Sequence, residues 1–189
     1  GVICIDMGGG TTDISVFFDG EVVYTDSVPL GGNHVTNDIA RGLSTPLAYA
    51  ERMKTLYGSA IPSASDDQEV IKVPLVGELD DGENQIPRSM LVGIIRPRIE
   101  EIYELVREKL EPTGFEKAGA RRVVLTGGGS QLTGVRELAA KMMDKQVRLG
   151  QPYVVKGLAE SVSGPGFSAP VGLIQFVLKE RQTRSVISS

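Results

Sequence analysis

The stretch "IDMGGGTTDISVF", Ile5 to Phe17, decides how the rest of the chain is read. It sets a carboxylate, three consecutive glycines and two threonines at the end of a β-branched apolar run, Val2 to Ile5, that reads as a buried strand. Ile14 to Phe18 reads as a second strand, Asp19-Gly20 as a two-residue hairpin turn, and Glu21 to Val28 as a third strand. The first part of the chain is thus an antiparallel meander whose first turn is the glycine cluster, since tight turns need residues that tolerate positive φ. Consecutive glycines also let backbone N–H groups converge on phosphate oxygens, with the hydroxyls of Thr11 and Thr12 as further donors. Asp6, at the strand end, can hold a hydrated Mg²⁺ beside such a phosphate, and Asp13 puts a second carboxylate across the turn. Taken alone, the cluster leaves a strained hairpin and a phosphate nest evenly balanced.

Downstream, "PLGGNHVTNDIARGL" changes period. Asn33 is the expected N-cap, with Val35, Ile39 and Leu43 at helical spacing behind it. His34, the single histidine, stands at the start of this helix and reads as structural. Thr45-Pro46 punctuates, and "LAYAERMKTLYG" reads as a second helix closed by Gly58. Ile61 to Asp67 is a polar loop, and "EVIKVPLVGE" a strand interrupted at Pro74. Met90 to Leu110 has the clearest helical pattern. Ile95, Ile99, Ile102, Val106 and Leu110 line one face, and Glu100, Glu101, Glu104, Arg107 and Glu108 fall largely on the other. "RRVVLTGGGSQLTGVRELAAKMMDK" is a strand, a glycine turn and a helix. Val147 to Leu149 reads as a last short strand, Ser161 to Ser168 as a loop, and Val171 to Leu178 as a closing helix.

With 189 residues the chain can bury a substantial core, and its net charge of −4 offers no broad basic footprint for nucleic acid. Its lone cysteine, Cys4, can form no internal disulfide and sits in an apolar run, which suits a reducing cytoplasm. No apolar run approaches the ~20 residues that span a bilayer. The opening on Gly1-Val2-Ile3, with neither methionine nor leader, suggests a piece of a longer protein. The element order gives an α/β fold with a mixed sheet, interrupted by an α/β insertion near residues 45 to 115.

A second cluster, Gly127-Gly128-Gly129-Ser130, falls between a strand and a helix, where a ligand can lie against the backbone. It lacks the third glycine of the dinucleotide fingerprint, Leu132 standing there instead, and the lysine of a P-loop. "IDMGGGTTDISVF" resembles the second phosphate motif of the actin-like ATPase superfamily, and "VVLTGGGSQLTGV" its adenosine motif. "LGGN" lies between them, and together they cover essentially the whole chain. Within that superfamily, "SVPLGGNHVTNDIARGL", "AERMKTLYG", "RPRIEEIYELVREKL" and "GLAESVSGPGFSAPVGLIQFV" look most like the FtsA family of bacterial cell-division proteins.

The resemblance implies a fold and a set of roles. The fold would be actin-like (ribonuclease H-like), with subdomain IIA formed by residues 1–44 and 116–189 and the smaller IIB inserted as 45–115. ATP and Mg²⁺ would be the cofactors. Asp6 would orient Mg²⁺ through its waters, and Asp13 would face the attacking water. Gly8, Gly9, Gly10, Thr11 and Thr12 would cradle the β- and γ-phosphates, and Gly31 and Gly32 would lie beside the nucleotide. Glu51 and Lys54 match a Glu-x-x-Lys that contacts ribose and adenine, while an exposed helical pair is their simpler reading. Gly128, Gly129 and Gln131 would pack against the base.

In that family the intact protein binds ATP with weak or disputed hydrolysis, polymerises with itself, and joins other divisome proteins. It tethers the tubulin-like protein FtsZ to the inner face of the cell membrane. FtsZ's C-terminal peptide would meet subdomain IIB, here the segment Glu51 to Gly58 and the helix containing Ile99 to Leu110. The first phosphate motif and the membrane-binding amphipathic helix are expected outside this chain, which alone should bind ATP poorly. Other readings are another actin-like ATPase (a DnaK-type chaperone, MreB or a pilus-assembly relative), a sugar kinase, or an interaction module of the same fold that binds no nucleotide.

Overall fold

Strict alternation of buried and half-buried residues along β1 (Val2–Met7) puts Ile3, Ile5 and Met7 on one face. Thr12, Ile14 and Val16 repeat the pattern in β2 (Thr12–Phe18). These faces set the register, Ile5 opposite Ile14 and Asp6 opposite Asp13. Asp19 and Gly20 both take positive φ and close the hairpin onto β3 (Glu21–Val28), as the Asp-Gly signal predicts. A computed structural model describes residues 1–76, 83–115 and 117–187 of the chain.

The remaining elements are α1 (Gly32–Gly42), α2 (Leu47–Tyr57), β4 (Val70–Pro74), β5 (Glu83–Pro87) and α3 (Arg88–Leu110). They are followed by β6 (Arg122–Thr126), α4 (Val135–Met143), β7 (Gln146–Leu149) and α5 (Ser168–Ile187). One five-stranded sheet has the order β3-β2-β1-β6-β7. Its first two pairings are antiparallel, and β1–β6 and β6–β7 are parallel, so the sheet is mixed. β4 and β5 form a separate antiparallel hairpin.

A single core joins the two sheets through α3. Ile95, Ile99, Ile102, Val106 and Leu110 are all buried, as their spacing predicts, together with Leu91, Val92 and Tyr103. Pro97 lies inside this helix and withholds the N–H that the Gly93 carbonyl would otherwise accept, yet the helix continues. α1 is tied to α3 by Arg98, whose Nε and Nη2 donate to the two Asp38 oxygens at 2.6 and 3.0 Å.

Several elements differ from their sequence reading. Gly31 rather than Asn33 occupies the N-cap of α1, because carbonyls of the first glycine turn take over the capping. Gly58 is extended (φ −65°, ψ 143°), so crowding rather than positive φ requires it; an added Cβ would sit 3.0 Å from Ile95 and Leu132. The strand read through "EVIKVPLVGE" ends at Pro74; its last two residues, Gly77 and Glu78, lie outside the described residues. Its partner β5 escaped the reading because Ile86 is the only non-proline apolar residue in "ENQIP". α3 begins two residues before Met90, directly after Pro87, and α5 extends well beyond Val171 to Leu178.

Candidate functional site

The carbonyl ends of β1 and β6 carry the two glycine clusters side by side. A methyl at Gly127, whose φ is +83°, would collide with the Asp6 carboxylate and the Met7 backbone, and one at Gly129 would fall 2.9 Å from the Met7 carbonyl oxygen. These two glycines let one turn close on the other. Gly128 faces open space and lines the cleft. The cluster does not open directly onto a helix as its sequence suggests, since a 3-10 turn, Gly128–Gln131, intervenes before α4 begins at Val135.

The start of α1 braces the first turn from beneath. Gly32 N–H donates to the Gly8 carbonyl (2.9 Å) and Asn33 N–H to that of Gly9 (2.8 Å). Gly31 N–H donates to His34 Nδ1 (3.1 Å), which gives the single histidine a structural part. Donors that a helix N-terminus leaves orphaned are thereby consumed within the protein. Gly31 is buried, and a Cβ there would lie 2.5 Å from the Gly8 oxygen. By contrast, Gly9 and Gly10 are exposed, and the N–H groups of Gly9, Gly10 and Thr11 donate to no protein acceptor among the described residues.

Thr11 and Thr12 part company. Thr12 is fully buried and its hydroxyl donates to the Leu30 carbonyl at 2.8 Å, whereas Thr11 is exposed, 3.4 Å from Asp13 Oδ2. Asp13 accepts from Ser27 Oγ at 2.6 Å. Burial first, and the facing Asp13 second, hold the Asp6 carboxyl above the usual aspartate range. Asp6 is therefore a half-buried acid whose ionised form has no compensating cation among the described residues.

A cleft of about 370 Å³ brings together Gly8, Gly9, Gly32, Glu51, Lys54, Gly128, Gly129 and Gln131. Ile99 and Ile102 of α3, with Val35 and Leu132, supply apolar lining that the sequence reading did not place at the nucleotide site. Asp6, Gly10, Thr11, Thr12, Asp13 and Gly31 lie outside this lining, on and behind the glycine turn. Sequence reading missed Thr36. It is buried on α1, one turn beyond Gly32, and bonded to both Glu51 and Lys54. A lone hydroxyl between Val35 and Ile39 on an otherwise apolar helix face was the available signal. Among the described residues no cluster of His, Cys, Asp and Glu has the form of a metal site, and no helix is long and apolar enough to cross a membrane.

A mixed sheet of this order, with two glycine turns at one end and helices α1 and α3 behind it, has the actin-like fold. Two solved structures of MreB5 of Spiroplasma citri share it. The AMPPNP-bound form has a TM-score of 0.71 at 19% identity, and the ADP-bound form 0.77 at 21%; each match covers 98% of this chain and 55% of that one. A PilM–PilN type IV pilus biogenesis complex is similar too (TM-score 0.66, 22% identity, 91% of this chain and 44% of that one). The family model for cell division protein FtsA matches residues 3–172, and this chain belongs to the FtsA family. FtsA of Rhizobium meliloti is 49% identical over 92% of this chain and 40% of its own length. For Pseudomonas aeruginosa FtsA the figures are 41%, 96% and 43%, and for Escherichia coli K12 FtsA 36%, 93% and 43%. The chain thus spans about two fifths of the length of the curated relatives it matches.

Proposed function

We propose that the cleft is one side of an ATP site, in a protein that binds ATP and Mg²⁺, polymerises, and anchors the FtsZ ring to the cytoplasmic membrane at the division site. One observation carries the nucleotide reading. Three successive N–H groups, of Gly9, Gly10 and Thr11, stand without a protein acceptor among the described residues on an exposed glycine turn, while Gly128 and Gly129 line the same cleft. Such a donor set suits phosphate oxygens. The donor chemistry also suits Mg²⁺, which Asp6 would hold through water; a cation there relieves the cost of its ionised form. When bound, the metal would neutralise phosphate charge. The protein's own part is to bind and orient, with the turn gripping phosphate, Glu51 facing the sugar, and Gly128 and Gly129 leaving room for the base.

Asp6→Asn in the full-length protein should weaken Mg-ATP binding tenfold or more, a charged contact being worth about 1.5–3 kcal/mol. It should do so without lowering the thermal stability of the nucleotide-free protein. Equal calorimetric affinity in wild type and variant would sink the assignment.

Residues 1–44 and 116–189 serve as subdomain IIA in this reading, and 45–115 as IIB. The apolar face of α3 is buried, so of the two candidate segments a partner peptide would meet the charged side of α3, at Glu101, Glu104, Arg107 and Glu108, and the exposed Leu56 and Tyr57 of α2. Retention of the full-length protein on an immobilised FtsZ tail peptide should fall at least fivefold in the double variant Leu56→Ser, Tyr57→Ser, since apolar anchors carry most interface energy, about 1–2 kcal/mol each. Unchanged retention moves the contact elsewhere.

A further inference from the structure

Thr36, Glu51 and Lys54 form a closed clasp between α1 and α2, and its proton count is restrictive. An ammonium has three protons. Lys54 Nζ has three acceptors around it: the Gly32 carbonyl at 3.0 Å, Thr36 Oγ1 at 2.8 Å and Glu51 Oε2 at 2.8 Å. Each proton therefore has a partner inside the protein, and the lysine side chain is only 14% exposed. Thr36 Oγ1 accepts from Lys54 and must pass its own proton on. Its choices are the Gly32 carbonyl at 3.1 Å, which already accepts from Lys54, and Glu51 Oε2 at 2.5 Å, which bears negative charge. Charge-assisted bonds are the shorter and stronger, so the proton goes to Glu51. Glu51 Oε2 thus receives two donors, and Oε1 receives none among the described residues.

We propose that Thr36 is a positioning residue that fixes the Glu51 carboxylate, with Lys54 acting as an internal counter-charge rather than as a donor to the ligand. The inference rests on the reading of this cleft as a nucleotide site and deepens it. Lys54 bonds the Gly32 carbonyl, and Gly32 N–H bonds the Gly8 carbonyl, so one hydrogen-bonded chain runs from the phosphate turn to α2. The first oxygen of Glu51 is locked by the clasp. The second, with no proton of its own, is what a ligand meets, and it suits a hydroxyl donor such as those of a ribose. Burial opposes ionisation of Glu51, but the bonds from Lys54 and Thr36 outweigh it and hold the carboxyl below the usual glutamate range.

The test uses the full-length protein and three forms of it: wild type, Thr36→Val, which keeps the shape and removes the hydroxyl, and Thr36→Ser, which restores it. In nucleotide-free protein, carbon-13 NMR titration of the Glu51 carboxyl should move up towards the ordinary glutamate value in Thr36→Val and stay in place in Thr36→Ser. Mg-ATP affinity should fall about tenfold in the valine variant and return to within about twofold in the serine variant, one hydrogen bond being the difference. The preference for ATP over 2′-deoxy-ATP should shrink in step, a change that a merely structural role would not produce. Thermal unfolding identifies a valine variant that has simply lost its fold, and the serine variant then decides: a wild-type Glu51 titration and wild-type selectivity support the clasp, and loss of either overturns it. A folded valine variant with unchanged titration and unchanged selectivity overturns the proposal. If wild type fails to bind Mg-ATP, the nucleotide reading falls and takes the Thr36 assignment with it, whereas tight wild-type binding with an indifferent valine variant removes Thr36 alone.

Discussion

Gly31 and Gly10 belong to adjoining parts of one site, yet the chain needs them for different reasons. A methyl at Gly31 meets the Gly8 and Gly9 backbones, which cannot withdraw without opening the turn, whereas one at Gly10 meets nothing within 4 Å. Gly31→Ala should therefore cost about 2 kcal/mol of stability through overpacking, measured by urea unfolding. Gly10→Ala should leave the midpoint unchanged or slightly raised, because its unfolded state loses freedom. Equal effects at the two positions would contradict the packing account. Sequence alone does not separate these glycines, since both appear only as members of a cluster. The same blindness covers Thr11 and Thr12: adjacent hydroxyls in the motif are, in space, one on the surface and one bonded to Leu30, eighteen residues away. The Lys54 clasp was half legible. Its Glu51 partner is one helical turn distant, but Thr36 lies fifteen residues from Glu51 on another helix, and no local pattern announces that meeting.

Elements were more legible where their apolar period was long. The buried face of α3 follows directly from its isoleucines, and the Asp-Gly turn from its two positive-φ positions. β5 was lost because a strand with one non-proline apolar residue carries almost no period, and the N-cap of α1 because its partners come from a turn more than twenty residues upstream. The far end of α3 shows how such long-range partners stabilise an element. Lys109 Nζ donates to Asp26 Oδ1 on β3 at 2.9 Å, and Tyr24 OH donates to the other Asp26 oxygen at 2.9 Å. The Lys109 bond first, then Ser27 N–H and Tyr24, carry the Asp26 carboxyl down to about 2. A carboxyl depressed on folding stabilises the native state above its unfolded value, near 4, and that contribution fades as pH falls towards 2. Asp26→Asn should accordingly lower the urea midpoint at pH 7. Its gap from wild type should narrow between about pH 4 and 2 and close below that. A gap of the same size at pH 7 and pH 2 would show that charge is not what holds β3 to α3.

At the scale of the molecule, the order of the elements already implied a mixed sheet, because three strands precede the insertion and a strand–turn–helix unit follows it. What the order could not supply is the convergence of the two glycine turns, which depends on β6 lying parallel to β1 with Asp6 opposite Thr126. That register sets both motifs at one end of the sheet, and α1, α2 and α3 then supply further walls of the cleft. The chain spans about two fifths of its relatives, and its surface leaves Tyr153, Val154, Leu173 and Phe176 each more than 60% exposed. In the proposed function, phosphate contacts come from both sides of the cleft, so a chain carrying one side offers only part of the binding free energy. Calorimetry should therefore find Mg-ATP binding to this chain alone at least about a hundredfold weaker than to the full-length protein, which corresponds to losing one or two charged hydrogen bonds. Comparable affinity in the two would mean that the turn at Gly8 to Thr11, the Lys54 clasp and the Gly128 shelf suffice by themselves, and that the other side of the cleft contributes nothing to holding the nucleotide.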